Sequence, residues 1–177
     1  ISVSYAQTVY GKKEIDAVVK CLNESTQMGH YARIFEKEIA KFFNKKHGLY
    51  VNSGSSALYI GMEASGFPKG GEVITPALTF STTVGSIVKS DLIPVFIDVG
   101  RKDYCINVNA IEKNISSKTV AIAAPNLMGN ICDWKTISEI AKKYSLKVIE
   151  DSADTIGGSL HGKLSGSYCD WSITSFY

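Results

Sequence analysis

Residues 147–154 read Lys147-Val148-Ile149-Glu150-Asp151-Ser152-Ala153-Asp154. A short apolar run ends abruptly in carboxylates. A run of this length without polar alternation predicts a strand covered on both faces, as in a parallel sheet. In open parallel sheets, ligands collect just beyond the carboxyl ends of the strands. Asp151 is therefore a candidate ligand group. A helix cap or a partner for a surface Lys fits the same residue, and the same readings apply to Asp154.

The pattern repeats outward from this stretch. Strand-like runs at residues 72–75, 93–98, 119–125, 146–151 and 171–175 alternate with helical patterns at 79–89, 108–114 and 134–144. Pro94 sits at the start of its run, where a missing N–H is tolerated. Towards the N-terminus, residues 14–22 predict a helix with Ile15, Val18, Val19 and Leu22 on one face. Residues 34–43 predict a second, with Phe35, Ile39, Phe42 and Phe43 inward. His47-Gly48-Leu49-Tyr50-Val51-Asn52 reads as a short strand that breaks into Ser53-Gly54-Ser55-Ser56, and residues 57–64 resume as a helix. Apolar strands separated by amphipathic helices predict a three-layer α/β/α domain with a mostly parallel sheet.

Composition agrees and excludes several classes. The 177 residues are 45% hydrophobic and 20% charged, as in a globular protein with one sizeable core. A formal net charge of +2 with interspersed signs leaves no footprint for nucleic acid or a membrane surface. The longest apolar stretches are strand-length, too short to span a bilayer. Ile1 to Gln7 runs into Lys12, Lys13, Glu14 and Asp16, which is not a signal-peptide pattern. Four scattered cysteines, Cys21, Cys105, Cys132 and Cys169, form no CxxC and lie near no His at ligand spacing. Reduced thiols in a cytoplasmic protein without a metal site are the expectation.

Other strand-to-helix junctions carry candidate groups. In Asn52-Ser53-Gly54-Ser55-Ser56-Ala57-Leu58, free backbone N–H groups and a helix dipole would face an anion such as phosphate. An ordinary Ser N-cap fits the same residues. The turn is neither a Walker loop nor GxGxxG. Phe80, after Pro76-Ala77-Leu78-Thr79, either stacks on a flat ring or packs in the core. Asn126, in Asn126-Leu127-Met128-Gly129-Asn130, either hydrogen-bonds a ligand oxygen or stabilises its own turn. Ser175 closes the last strand. In a parallel sheet these junctions share one edge, so the Ser53–Ser56 turn, Phe80, Asn126, Asp151 and Ser175 should converge.

These residues, taken together, resemble the DegT-type nucleotide-sugar aminotransferase family. The similarity runs over essentially the whole chain. It includes Gly29 through Phe35-Glu36, Ser53-Gly54-Ser55-Ser56-Ala57-Leu58, Pro76-Ala77-Leu78-Thr79-Phe80 and Pro94-Val95-Phe96-Ile97-Asp98. The Gly129 loop, Glu150-Asp151 and Ser175-Phe176-Tyr177 complete it. The resemblance implies the aspartate-aminotransferase fold (fold type I) and pyridoxal or pyridoxamine 5′-phosphate as cofactor. Asp151 would pair with the protonated pyridine nitrogen, keeping the ring an electron sink. Phe80 would stack on the ring. Ser55, Ser56 and Ser175 would hold the phosphate, with Gly54 admitting the backbone, and Asn126 would lie near the ring hydroxyl.

Two departures narrow the resemblance. Family aminotransferases usually carry His or Gln three residues after the Asp, where this chain has Asp154, and other residues after the loop glycine, where it has Asn130. Asp-x-x-Asp, Gly-Asn and Ser-Phe-Tyr look like the 4-keto-6-deoxy nucleotide-sugar 3-dehydratase branch, used in deoxysugar biosynthesis. There the catalytic Lys is replaced by His. A Lys can hold the cofactor and return it to its aldehyde form. A His cannot, and instead moves protons so that the C3 hydroxyl leaves. That Lys or His is expected just after Tyr177, so no catalytic base is expected within the chain. Transamination with glutamate as amino donor is the alternative, and a regulator borrowing the fold is a further one.

Family chains are roughly twice as long. Residues 1–177 would then be most of the cofactor-binding large domain, without the last sheet strand and the C-terminal small domain, and inert alone. A homodimer is expected.

Overall fold

The computed structural model describes residues 7–25 and 27–176. Tyr177, the end of the Ser175-Phe176-Tyr177 stretch, and residues 1–6 lie outside the described residues. In chain order the elements are α1 (Lys12–Glu24), α2 (His30–Phe42), α3 (Gly54–Ala64), β1 (Glu72–Pro76), α4 (Ser81–Lys89), β2 (Ile93–Ile97) and α5 (Val108–Ile111). They continue with β3 (Thr119–Pro125), α6 (Trp134–Tyr144), β4 (Lys147–Ser152), β5 (Ser159–Leu160), β6 (Lys163–Leu164) and β7 (Trp171–Thr174).

Five strands form one sheet in the order β2-β1-β3-β4-β7, and every neighbouring pair is parallel. Helices cover both faces, which is why the strands read as continuous apolar runs. Along β4 the faces alternate. Val148 joins the core made with Trp134, Ile137 and Ala141 of α6. Ile149 joins the core on the other side, with Met62 of α3 and Ile87 of α4. Fully burying each such side chain contributes roughly 1.5–3 kcal/mol. The alternation decides the site: Glu150 turns to one face and Asp151 to the other.

Local chemistry fixes the elements around β4. Asp133 caps α6 by accepting the Thr136 N–H at 3.1 Å, and Ser145 ends the helix in the left-handed region at φ 57°. The β4–β7 pairing is pinned by Asp170, which accepts the Val148 N–H at 2.8 Å and the Lys147 ammonium at 2.6 Å. Lys45, just past α2, donates to the carbonyls of Gly166 and Cys169 where the chain enters β7. Burial holds the Lys45 ammonium below its usual range.

Two expectations are corrected. Residues 47–52 form no strand. Their backbone is met elsewhere, the Tyr50 N–H by the Glu36 carboxylate at 2.9 Å, so β propensity without a neighbouring strand produces none. Phe42 is 48% exposed rather than inward, while Phe43 is buried as expected and Ala40 is buried beside it. The apolar face of α1 forms as expected but buries no residue against the rest of the described chain. One element went unread. β5 and β6 are a hairpin whose two central residues, His161 and Gly162, both have positive φ (50° and 74°), the signature of a type I′ turn. Among the described residues no helix is long and apolar enough to cross a membrane.

Candidate functional site

The parallel sheet brings the predicted junctions to its carboxyl edge. Phe80 lies between β1 and α4, Asn126 directly follows β3, Asp151 is the next-to-last residue of β4, and Ser175 directly follows β7. The Ser53–Ser56 turn follows no strand, yet it reaches the same edge. α3 packs closely on β7, because Gly61 lies so near the Trp171 ring that a Cβ there would be 2.7 Å from it. The Trp171 indole N–H also donates to the Ser65 hydroxyl at 3.0 Å. This packing sets the first residue of α3, Gly54, against Ser175, where an added Cβ would stand 3.2 Å from the Ser175 Cβ.

The turn is a true N-cap. The Ser53 hydroxyl accepts the Ser56 N–H and donates to the Ser56 hydroxyl, both at 3.1 Å. Ser56, accepting there, keeps its own hydroxyl proton to donate. The capping reading therefore holds and leaves the anion reading intact, since the N-terminal amides of an α-helix have no partner within it.

Asp151 is 4% exposed, and its carboxylate is held at both oxygens. Oδ2 accepts the Thr83 hydroxyl at 2.8 Å, and Oδ1 accepts the Ala153 N–H at 3.1 Å. Burial pushes the carboxyl above its ordinary value, the two donors pull it back part of the way, and the charges of Asp154 and Glu150 add to the rise. Phe80, by contrast, is 68% exposed, so the core-packing reading does not apply to it. Its carbonyl accepts the Thr83 N–H at 3.1 Å, which places the ring one helical turn from the residue that holds Asp151.

Asn126 has no exposure, and its carboxamide is fully engaged within the protein. Its NH₂ donates to Glu150 and Ser152, each at 2.8 Å, and its oxygen accepts the Cys132 N–H at 3.0 Å and the Trp134 indole N–H at 2.9 Å. Both donors and both acceptor positions are used. This geometry makes Asn126 part of the frame of the edge, the turn-stabilising reading, rather than a group facing a ligand. Glu150, also fully buried, accepts Asn126, Ser152 at 2.9 Å and Ser172 at 2.6 Å, joining β3, β4 and β7.

Asp154 is exposed, and its Oδ2 accepts the Met128 N–H at 3.0 Å. Met128 and Gly129 both have positive φ (56° and 83°), so the carboxylate clasps a tight turn that leads into Asn130. Sequence reasoning singled out Asp154 and Gly129-Asn130 separately, without their contact. It also missed Thr83, whose only signal was a hydroxyl on the face of α4 that meets the sheet.

A groove of about 1030 Å³ runs along the outer side of β7, lined by Phe35, Tyr50, Ile60 and Trp171 among others. It reaches Gly54 and Ser175 at one end but touches neither Phe80 nor Asp151. The candidate site is therefore the strand-end surface, not this groove.

A parallel sheet with a capped serine turn, an exposed aromatic and a buried carboxylate on one edge defines an α/β domain with a candidate ligand site at its strand ends. Residues 9–177 match the DegT/DnrJ/EryC1/StrS aminotransferase family, and the chain belongs to it. It is 33% identical over 177 residues to GDP-perosamine synthase of Caulobacter vibrioides, covering 99% of this chain and 48% of that protein. It is 37% identical over 157 residues to dTDP-4-dehydro-2,6-dideoxy-D-glucose 3-dehydratase of Saccharopolyspora spinosa, covering 84% of this chain and 34% of that one. Among solved structures it superposes on E. coli GDP-4-keto-6-deoxy-D-mannose-3-dehydratase with bound hydrated PLP. There the TM-score is 0.85 at 27% identity, over 92% of this chain and 44% of that one. The chain thus spans about half the length of the curated relatives it matches, 48% in the first case.

Proposed function

We propose that residues 1–177 are most of the pyridoxal or pyridoxamine phosphate-binding domain of an enzyme that removes the C3 hydroxyl of a 4-keto-6-deoxy nucleotide sugar. The residues fit the cofactor on two counts. Gly54 and Ser175 meet so closely that a side chain at 54 would fill the cradle beside the helix N-terminus. Asp151 is a buried carboxylate whose hydrogen-bond partners among the described residues, the Thr83 hydroxyl and the Ala153 N–H, carry no charge, and a protonated ring nitrogen would supply a cation.

When bound, the cofactor supplies an electron sink. The residues of this chain bind and orient it. Gly54, Ser55, Ser56 and Ser175 bind the phosphate through hydroxyls and helix-end amides. Phe80 covers one ring face and excludes water. Asp151 holds a proton on the ring nitrogen. The proton-transfer residue lies beyond residue 177 in this reading, and the active protein is a homodimer.

One observation carries dehydration over transamination. The two departures from the aminotransferase pattern, Asp154 and the Gly129-Asn130 loop, are a single unit, joined by the Met128–Asp154 hydrogen bond. Transamination with glutamate is the second reading, favoured by the likeness to a perosamine synthase along nearly the whole chain. The test is to incubate the full-length protein with pyridoxamine phosphate and a 4-keto-6-deoxy nucleotide sugar, with and without glutamate, and identify the product by mass spectrometry and NMR. Loss of water at C3 supports dehydration. Glutamate-dependent appearance of an amine at C4 replaces it with transamination.

A further inference from the structure

We infer that Thr83 is a positioning residue for Asp151, its hydroxyl, aimed by Thr79, holding the carboxylate as an anion facing the site. The inference rests on the reading of Asp151 as the partner of a ring nitrogen.

Thr83 is an unusual place for a hydroxyl. It is completely buried within α4, on the side packed against the sheet. A Thr inside a helix ordinarily turns its hydroxyl back to the carbonyl four residues earlier. Here the hydroxyl donates across to β4, to a partner 68 residues away in sequence, at 2.8 Å. Its direction is set from behind, because Thr79 Oγ1 donates to Thr83 Oγ1 at 3.0 Å. With its oxygen accepting from Thr79, the Thr83 proton is committed to Asp151.

The relay has a chemical consequence. Two hydroxyls donating in series polarise one another, and a donor aimed at a carboxylate favours its charged form. Every other influence except the Ala153 N–H runs the opposite way. Burial raises the Asp151 carboxyl, and the negative charges of Glu150, on its own strand, and Asp154, on the following loop, raise it further. Without the hydroxyl, Asp151 would tend towards the neutral acid, which cannot balance a cation. A Val at this position would keep the shape and helix packing but lose the donor.

The experiment compares Thr83→Val, Thr83→Ser and Thr79→Val with the parent protein. Two readouts are taken: the carboxyl ¹³C titration of Asp151 without ligand, and the affinity for pyridoxal phosphate by absorbance titration. Thr83→Val should move the Asp151 titration further upward and weaken affinity roughly tenfold or more, the scale of a hydrogen bond to a charged group. Thr83→Ser should restore both, and Thr79→Val should move both the same way by less. Should Thr83→Val fail to fold, Thr79→Val, at a partly exposed position, decides by the same readouts. An Asp151 titration that stays with the parent protein's overturns the inference, as does a Ser variant that behaves like the Val variant. A titration that moves while affinity stays constant supports the relay and overturns Asp151 as the ring-nitrogen partner.

Discussion

Gly54 opens α3 directly against Ser175, and a Cβ on Gly54 would stand 3.2 Å from the Ser175 Cβ and 3.5 Å from its Oγ. The two residues lie far apart in the chain, and the packing of α3 on β7 brings them together. Gly54→Ala should therefore separate stability from binding. At the first residue of a helix, replacing Gly gains up to about 1 kcal/mol of helix propensity, which offsets the crowding. The melting temperature should stay within a few degrees. Displacing Ser175 should weaken pyridoxal phosphate binding roughly tenfold, the scale of one charge-assisted hydrogen bond. Unchanged affinity in a fluorescence titration would remove this junction from the phosphate site.

Phe80 gives a cleaner separation, because its ring is 68% exposed and contributes little to the core. Phe80→Ala should change unfolding free energy by less than about 0.5 kcal/mol, as at other exposed positions. Loss of ring stacking, worth roughly 0.5–1.5 kcal/mol, should weaken cofactor affinity by roughly two- to tenfold. Denaturant unfolding and absorbance titration of the same sample decide it. A large loss of stability with normal affinity would make Phe80 a packing residue after all.

These two residues also show what could be read without coordinates. Strand ends and helix starts were legible because apolar runs and serine or proline breaks are local, and parallel topology then forces Phe80, Asn126, Asp151 and Ser175 to one edge. Three things were not legible, for a common reason. Residues 47–52 have strand composition, but a strand needs a neighbouring backbone, which sequence does not display. Asn126 looked available, and only its four tertiary partners show that it is occupied. Thr83 is one hydroxyl among several on α4, and its importance lies in facing Asp151.

The role of Asn126 as a frame residue predicts a stability effect. Asn126→Ala would leave the Cys132 N–H and the Trp134 indole N–H without their acceptor, and would take the amide donor from Ser152 and one of three donors from Glu150. Each buried polar group left unsatisfied costs roughly 1–3 kcal/mol. The variant should be destabilised by about 3 kcal/mol or more, or fail to fold, in urea unfolding followed by Trp fluorescence. A variant as stable as the parent would mean that the network is not worth its hydrogen bonds and that Asn126 is free to serve a ligand.

The last prediction concerns Asp151 and pH. Burial raises its carboxyl in the folded protein above the ordinary value of 3.8. Below that ordinary value the group is protonated whether the chain is folded or not, and it contributes nothing. As pH rises, the unfolded chain releases the proton first, so folding must take one up, and stability falls. Above the raised folded value both states are ionised, and the full penalty of a buried, uncompensated carboxylate remains. Asp151→Asn removes that penalty. Thr83 can accept from an amide as readily as it donates to a carboxylate, so the contact survives. Without cofactor, the variant should therefore be more stable than the parent at neutral pH. The advantage should shrink as pH falls through the raised value and vanish below the ordinary one. In a chain this size each 1 kcal/mol shifts the melting temperature by roughly 2–4 °C, within reach of a scan across pH. Added pyridoxal phosphate should reverse the order, because the parent gains an ion pair that Asn cannot form, and in the full-length enzyme the same substitution should remove most activity. A variant less stable than the parent at every pH would show that Asp151 is ionised at no cost, its charge already balanced by a group inside the protein.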